Sequence, residues 1–237
     1  MSEPALVAGC FLFLSELALE FDWSVIGDAI PNLLDGTKMT VMITFWGLVG
    51  GFALGALTGV VRAYGPKWLS FIAQIYVAVI RGTPIVVQVM FLYFAVPLIL
   101  EGVRIDALWA AIITLIVNSG AYIAEIVRGS LLSVHKGLRE AGQAMGLPFH
   151  KILIHIIGPV AFRRMIPPLG NKCIISLKDS SLFIVIGVAE LTRQGQEIMA
   201  SNFRAVEIWS AVAIIYLLLT GALALGLRLI EKRMRML

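Results

Sequence analysis

Residues 39–61 read MTVMITFWGLVGGFALGALTGVV, a run with no charged side chain. A helix needs about 20 apolar residues to cross the hydrocarbon core of a bilayer, so this run is long enough to span. It contains Gly47, Gly51, Gly55 and Gly59, spaced by four. On a helix that spacing makes a stripe without side chains along one face, which lets a second helix approach closely; the same stripe is also open to reading as a hinge.

The same character extends outward. Of 237 residues 59% are hydrophobic and 14% charged, and the mean hydropathy is +0.91, well beyond an average soluble domain. Further runs of spanning or near-spanning length lie at 82–100, 107–124 and 208–227. A fifth, 165–189, is long enough but carries Lys172, Lys178 and Asp179. The expected fold is all-α, a polytopic membrane protein of about five transmembrane helices. The run 68–80 is too short to cross and is followed by Arg81, Gly82, Thr83 and Pro84, so it reads as interfacial or as a kinked start to the second span. Residues 4–15 are short, apolar and followed by acids, which suits an interfacial helix better than a signal peptide. We divide the chain into 1–37, an N-terminal interfacial segment, and 38–237, the membrane domain.

Five spans put the termini on opposite sides. Arg62, Lys67, Arg81, Arg128, Lys136, Arg139, Lys151, Arg163, Arg164, Arg228, Lys232, Arg233 and Arg235 then share one side, against Lys38, Arg104, Arg193 and Arg204 on the other. The positive-inside rule makes the first side cytoplasmic and the N-terminus external.

Some chemistries are excluded. The chain has no GxxxxGK[ST] and no GxSxG, so neither ATP hydrolysis nor esterase-type catalysis can be placed on it, and we assign no catalytic residue. Cys10 and Cys173 form no CxxC or Cys/His ligand spacing, so no metal site or disulfide framework is expected. His135, His150 and His155 lie in one loop without metal-ligand geometry. A net charge of +4 gives no support to nucleic-acid binding.

An ionisable side chain inside a membrane helix is costly and is usually functional or paired. Lys172 lies close enough to Pro167 to snorkel to the surface. Lys178 and Asp179 lie about twelve residues in, roughly 18 Å along the axis, near the bilayer centre. With Ser180 and Ser181 they offer a cation, an anion and two hydroxyls, a set suited to a zwitterion; equally, each charge suits a partner on a neighbouring span. In the third span Asn118, Tyr122 and Glu125 share one helix face. Glu125 has three readings: a pair with Arg128 at i+3, a partner for Lys178, or a group on the solute path. Arg81 is placed at the cytoplasmic interface, orienting the second span. The outside stretch 190–207 is polar enough to meet a soluble partner.

The loop 128–164 carries Glu140, Ala141, Gly142, Gly146, Leu147 and Pro148, then an amphipathic stretch to Ile156, Ile157, Gly158 and Pro159. Glycine and proline predict two short helices there, lying against the membrane or a partner. These residues resemble the EAA loop of bacterial ABC importer permeases, with Glu140, Ala141, Gly146, Ile156 and Pro159 in register and Gly142 and Gly158 departing from the usual Ala and Leu. The stretches RGTPIVVQVMFLY (81–93), NSGAYIAE (118–125) and SVHKGLREAG (133–142) are similar to the permeases of polar amino acid ABC importers, the high-affinity glutamine systems in particular. The resemblance covers residues 21–237.

It implies a type I ABC importer transmembrane domain in a bacterial inner membrane. The implied partners are a second permease copy, membrane lipid, a periplasmic amino acid binding protein and a cytoplasmic ATPase. ATP and Mg would sit on that ATPase, with no cofactor on this chain. Glu140, Ala141, Gly142 and Gly146 would be the coupling residues seated in the ATPase groove. The competing class is a secondary transporter or channel, which needs no ATPase and more often shows an internal repeat that this chain lacks.

Overall fold

The computed structural model describes residues 21–100, 102 and 104–235. The segment 4–15, expected to be an interfacial helix, lies outside the described residues. Every regular element among those described is helical.

The first helix, α1, is Trp23–Tyr64, capped by the Asp22 carboxylate accepting from the Ser24 N–H. It starts well before residue 39, and position 37/38 falls inside it rather than between two segments. Next come α2, Lys67–Gly82, and α3, Ile85–Ile99, which meet at an angle of 106°. Thr83–Pro84 makes the break, because proline removes a backbone donor and holds the residue before it extended. The fourth helix, α4, is Ala107–Leu132, capped by Asp106. The short α5, Lys136–Ala144, precedes α6, Phe149–Ile186, which is continuous through a π turn at Leu153–Ile157 and tightens to 3-10 geometry at Ser180–Ile186. Last are α7, Leu191–Asn202, and α8, Ala205–Arg235.

The two short helices predicted for the loop separate at Gly146–Pro148, but the second does not end at Gly158–Pro159. The π turn just ahead widens the helix where the proline ring would strike a carbonyl, so α6 passes through. The break between the short helix and α6 lies at Met145–Pro148, where Gly146 takes φ +72°.

The glycine stripe of α1 lies against α4. A Cβ on Gly47 would stand 2.5 Å from Leu115, on Gly51 2.8 Å from Ser119, on Gly55 2.6 Å from Ile123 and on Gly59 2.6 Å from Val127. Residue numbers rise together along this seam, so α1 and α4 run parallel. The chain from 65 to 106 must therefore return to the starting side, and the bent α2–α3 pair makes that crossing. Among the described residues four helices are long and apolar enough to span, and the bent pair, taken as one span, makes a fifth. Arg164 meets Ser133 at one end of α4 while Lys172 and Ser176 meet Asn118 and Ser119 midway, so α6 runs antiparallel to it. On the side away from the α5 loop, Leu191 donates its N–H to the Thr40 hydroxyl at 3.2 Å, and Leu33, Leu191 and Ile208 are fully buried together.

Candidate functional site

Midway along α4 and α6 the helices approach through small hydroxyls, with the Ser119 and Ser176 oxygens 3.0 Å apart and both residues fully buried. That close crossing brings together longer polar side chains one turn away. Lys172, only 5% exposed, donates from Nζ to Asn118 Oδ1 at 3.3 Å and lies 3.7 Å from Asp179 Oδ2. The same ammonium is 4.6 Å from the centre of the Tyr122 ring. Beside these groups is a cavity of about 290 Å³, walled by Asn118, Tyr122, Lys172, Ile175 and Asp179 and closed by Thr83, Pro84 and Ile85 from the α2–α3 bend.

Gln88 fixes that bend. Its amide nitrogen donates to the carbonyls of Ile80 and Thr83 and to the Thr83 hydroxyl, and its Oε1 accepts from Asn118 Nδ2 at 3.1 Å. One side chain thus satisfies carbonyls left open at the proline break and holds the cavity wall against α4. Such a polar group in an apolar run is functional or paired by default; Gln88 in RGTPIVVQVMFLY carried that signal, and the sequence reading passed over it.

Lys172 and Asp179 stand seven residues apart, two turns along one face of α6, about 10 Å in axial rise. Their side chains bend toward each other, with Ile175 lying between them on the cavity wall. Each ion in a low-dielectric setting costs several kcal/mol to bury, which the other partly offsets. A ligand bearing a carboxylate next to an ammonium can enter such a pair and replace one ion pair with two. A ligand of single charge leaves one buried ion unmatched.

This arrangement corrects several expectations. Lys172 is buried rather than snorkelling, and Lys178 is exposed on the outer surface of α6 rather than held at the bundle centre. Asp179 belongs to the site, with Lys172 as its partner. The Ser180 hydroxyl is buried but bonded to the Leu177 carbonyl, and the Ser181 hydroxyl is bonded to that of Lys178. Neither hydroxyl is directed at the cavity, because the helix tightens at this point and each serine caps its own backbone. Asn118 and Tyr122 line the cavity; Glu125 does not.

Glu125 is instead the centre of a second cluster. One carboxylate oxygen meets Arg62 of α1 and, at 3.6 Å, Arg81 of α2; the other meets Arg128 of its own helix. The pair with Arg128 is present, and Lys178 is not a partner. Arg81 also lies 5.4 Å from the centre of the Tyr122 ring, so this cluster touches the floor of the cavity.

In the α5 loop, Glu140, Ala141 and Gly146 are exposed while Gly142 is buried. A Cβ on Gly142 would lie 2.9 Å from Ile152 and 3.0 Å from Ile156, so its smallness seats α5 on α6 of the same chain. His135 accepts from the Gly137 N–H and caps α5, and Arg139 lies 5.3 Å over the Phe149 ring. The loop is therefore packed onto α6 through one face, with Glu140 and Ala141 on the other. Across the bundle, buried Glu190 caps α7, accepting from the N–H groups of Thr192 and Arg193 and from the Tyr216 hydroxyl. Burial pushes its carboxyl above the usual carboxylate range, against those three donors. No group of three or more potential metal-ligating side chains is found among the described residues.

Residues 51–236 match the family described as binding-protein-dependent transport system inner membrane component. The chain is 58% identical over 219 residues to the glutamine transport system permease protein GlnP of Escherichia coli K12, covering 92% of this chain and all of that one. It is 31% identical to the arginine transport system permease protein ArtQ of Bacillus subtilis, covering 92% of this chain and 99% of that one. A chain from the crystal structure of an amino acid ABC transporter with histidines superposes with a TM-score of 0.84 at 32% identity, over 91% of this chain and 100% of that one. A chain of the inward-facing MetNI methionine ABC transporter shares the fold at a TM-score of 0.69, over 90% of this chain and 99% of that one. With the polytopic helical fold, the α5 loop and the family match over most of its length, the chain belongs to the inner membrane components of binding-protein-dependent transport systems.

Proposed function

We propose that this chain forms the solute passage of an ATP-driven polar amino acid importer, glutamine being the favoured substrate, and that the cavity between α4 and α6 receives the substrate in transit. The observation carrying the reading is the pairing of buried Lys172 with half-buried Asp179 beside a cavity of about 290 Å³, near the lower end of small-ligand pockets at roughly 300 Å³. Lys172 takes the substrate carboxylate and Asp179 its ammonium, while Asn118 and Tyr122 offer an amide and a phenol to an uncharged side chain. The identity to a glutamine permease favours glutamine.

A partner ATPase binds the exposed face of α5, with Glu140 and Ala141 at the contact and Gly142 and Gly146 shaping the helix and its turn. The basic residues around this loop put it on the cytoplasmic side, which leaves α7 outside to meet the binding protein. A second copy of the chain completes the passage, as a homodimer.

The test is uptake of labelled glutamine by proteoliposomes holding this chain, its ATPase and its binding protein. ATP-dependent uptake, reduced at least a hundredfold by Asp179→Asn and abolished with loss of ATPase association by Glu140→Ala, is the expected result. Uptake running without ATPase or nucleotide overturns the importer reading, and unchanged uptake in Asp179→Asn overturns the assignment of the cavity.

A further inference from the structure

The side-chain chain that begins at the cavity does not end there. Lys172 lies over Tyr122, Tyr122 lies beneath Arg81, and Arg81 meets Glu125, which also holds Arg62 and Arg128. Along α4, residues 118 and 122 line the cavity, 122 being nearer the α5 loop, and residue 125 lies about one turn further toward that loop. Tyr122 is thus the last cavity-lining residue of α4 before the loop side, and Arg81 and Glu125 lie immediately behind it.

Three guanidiniums around one carboxylate leave a surplus of two positive charges. Such a group holds together only while the carboxylate is ionised, since the cations repel one another. The three arginines come from three elements: Arg62 from the last turn of α1, Arg81 from the last turn of α2 and Arg128 from α4 itself. The anion is therefore the single group tying α1, α2 and α4 electrostatically at this level. Arg62 and Glu125 are largely enclosed, their side chains 12% and 26% exposed, so solvent screens the attraction only in part.

We propose that Glu125 is a positioning residue that latches the loop-side end of the substrate cavity, holding Arg81 of α2 against Tyr122 of α4 until the coupling loop moves α2 away from α4. This rests on the cavity being the substrate's, but the latch is a statement about access and is tested separately. Glu125 contacts no substrate. Its role is to keep Arg81 where its guanidinium both stacks on Tyr122 and stays away from Lys172. Without the anion, Arg81 loses its counter-charge, faces Arg62 and Arg128 as well as Lys172, and withdraws.

The experiment places a reporter cysteine at Ile175, on the cavity wall, in a chain carrying Cys10→Ser and Cys173→Ser, within the whole complex of permease, ATPase and binding protein. Inside-out membrane vesicles without nucleotide are treated with a membrane-impermeant cationic methanethiosulfonate reagent, and the modification rate is read. Glu125→Gln is expected to raise that rate at least tenfold, Glu125→Asp to keep it within threefold of the parent, and Arg81→Gln to raise it as Glu125→Gln does. The double variant should be no faster than either single one, because both act on one latch. An unchanged rate in Glu125→Gln, or a Glu125→Asp variant as open as Glu125→Gln, overturns the proposal. If Glu125→Gln does not assemble, the Arg81→Gln rate decides alone, since Arg81 is partly exposed and removing it leaves Glu125 two partners. Glutamine protection of the cysteine reports the cavity assignment independently: accelerated labelling without protection keeps the latch and removes the substrate site.

Discussion

The helical bundle holds two ion clusters of opposite design. Lys172 and Asp179 are matched one to one, lie on one helix and border open space. Glu125 is matched three to one, by arginines from three elements, and does not line the cavity. A balanced pair beside a cavity can exchange partners with an incoming zwitterion at small net electrostatic cost. An over-matched carboxylate cannot, because any ligand that displaces one arginine leaves uncompensated cations behind. The first design suits a group that must bind and release; the second suits one that must hold helices in place.

The sharpest way to break this comparison is to unbalance the pair. Lys172→Met leaves the half-buried Asp179 without its partner, which should cost up to about 3 kcal/mol of stability and remove uptake. The double variant Lys172→Met with Asp179→Asn should regain most of the stability in a detergent thermal-shift measurement without regaining uptake. If the double variant transports glutamine, the pair is structural and the contrast fails.

The seam between α1 and α4 keeps the two clusters in register, so its disturbance should affect both. Gly55→Val would drive a side chain into Ile123 and, at 2.7 Å, the backbone oxygen of Gly120. Overpacking of this kind costs about 1–3 kcal/mol, and thermal shift should show it together with faster labelling at position 175. Normal stability would mean that the stripe is spare room.

Fully buried Glu190 gives a reference acid held by hydrogen bonds. Glu190 is held by two backbone N–H groups and a phenol, so Glu190→Gln should keep most of the cap while Glu190→Ala should lose about 1–2 kcal/mol. Equal losses in the two variants would show that charge, not hydrogen bonding, holds α7. At the small end, Lys178→Ala touches an exposed side chain and Ser181→Ala a half-buried one, both away from the cavity. For Lys178→Ala, stability within about 0.5 kcal/mol and uptake within twofold of the parent are expected, and a large loss of uptake would place the outer surface of α6 on the passage.

The sequence disclosed the cavity's components more readily than their arrangement. Asn118, Tyr122 and Asp179 were legible because polar groups in an apolar helix stand out. Lys172 and Lys178 were exchanged, because depth measured from a proline assumes that the surface begins there. In the fold, α6 runs unbroken from Phe149, so its helical register places residue 172 on the face toward α4 and residue 178 on the face away from it. The arginine cluster was only partly legible: the Glu125–Arg128 spacing is local, but Arg62 and Arg81 come from other helices.

The sequence by itself determined that the chain crosses a membrane about five times, that α1 packs through glycine, and that the loop around Glu140 belongs to a transporter permease. Each of those follows from composition, from periodicity along one helix or from contiguous motifs, which do not depend on where other helices lie. Tertiary structure decided which charges meet. Pairing across helices depends on their rotation and offset, and these were set by the glycine seam, by the bend at Thr83–Pro84 and by the π turn that carried α6 through Pro159.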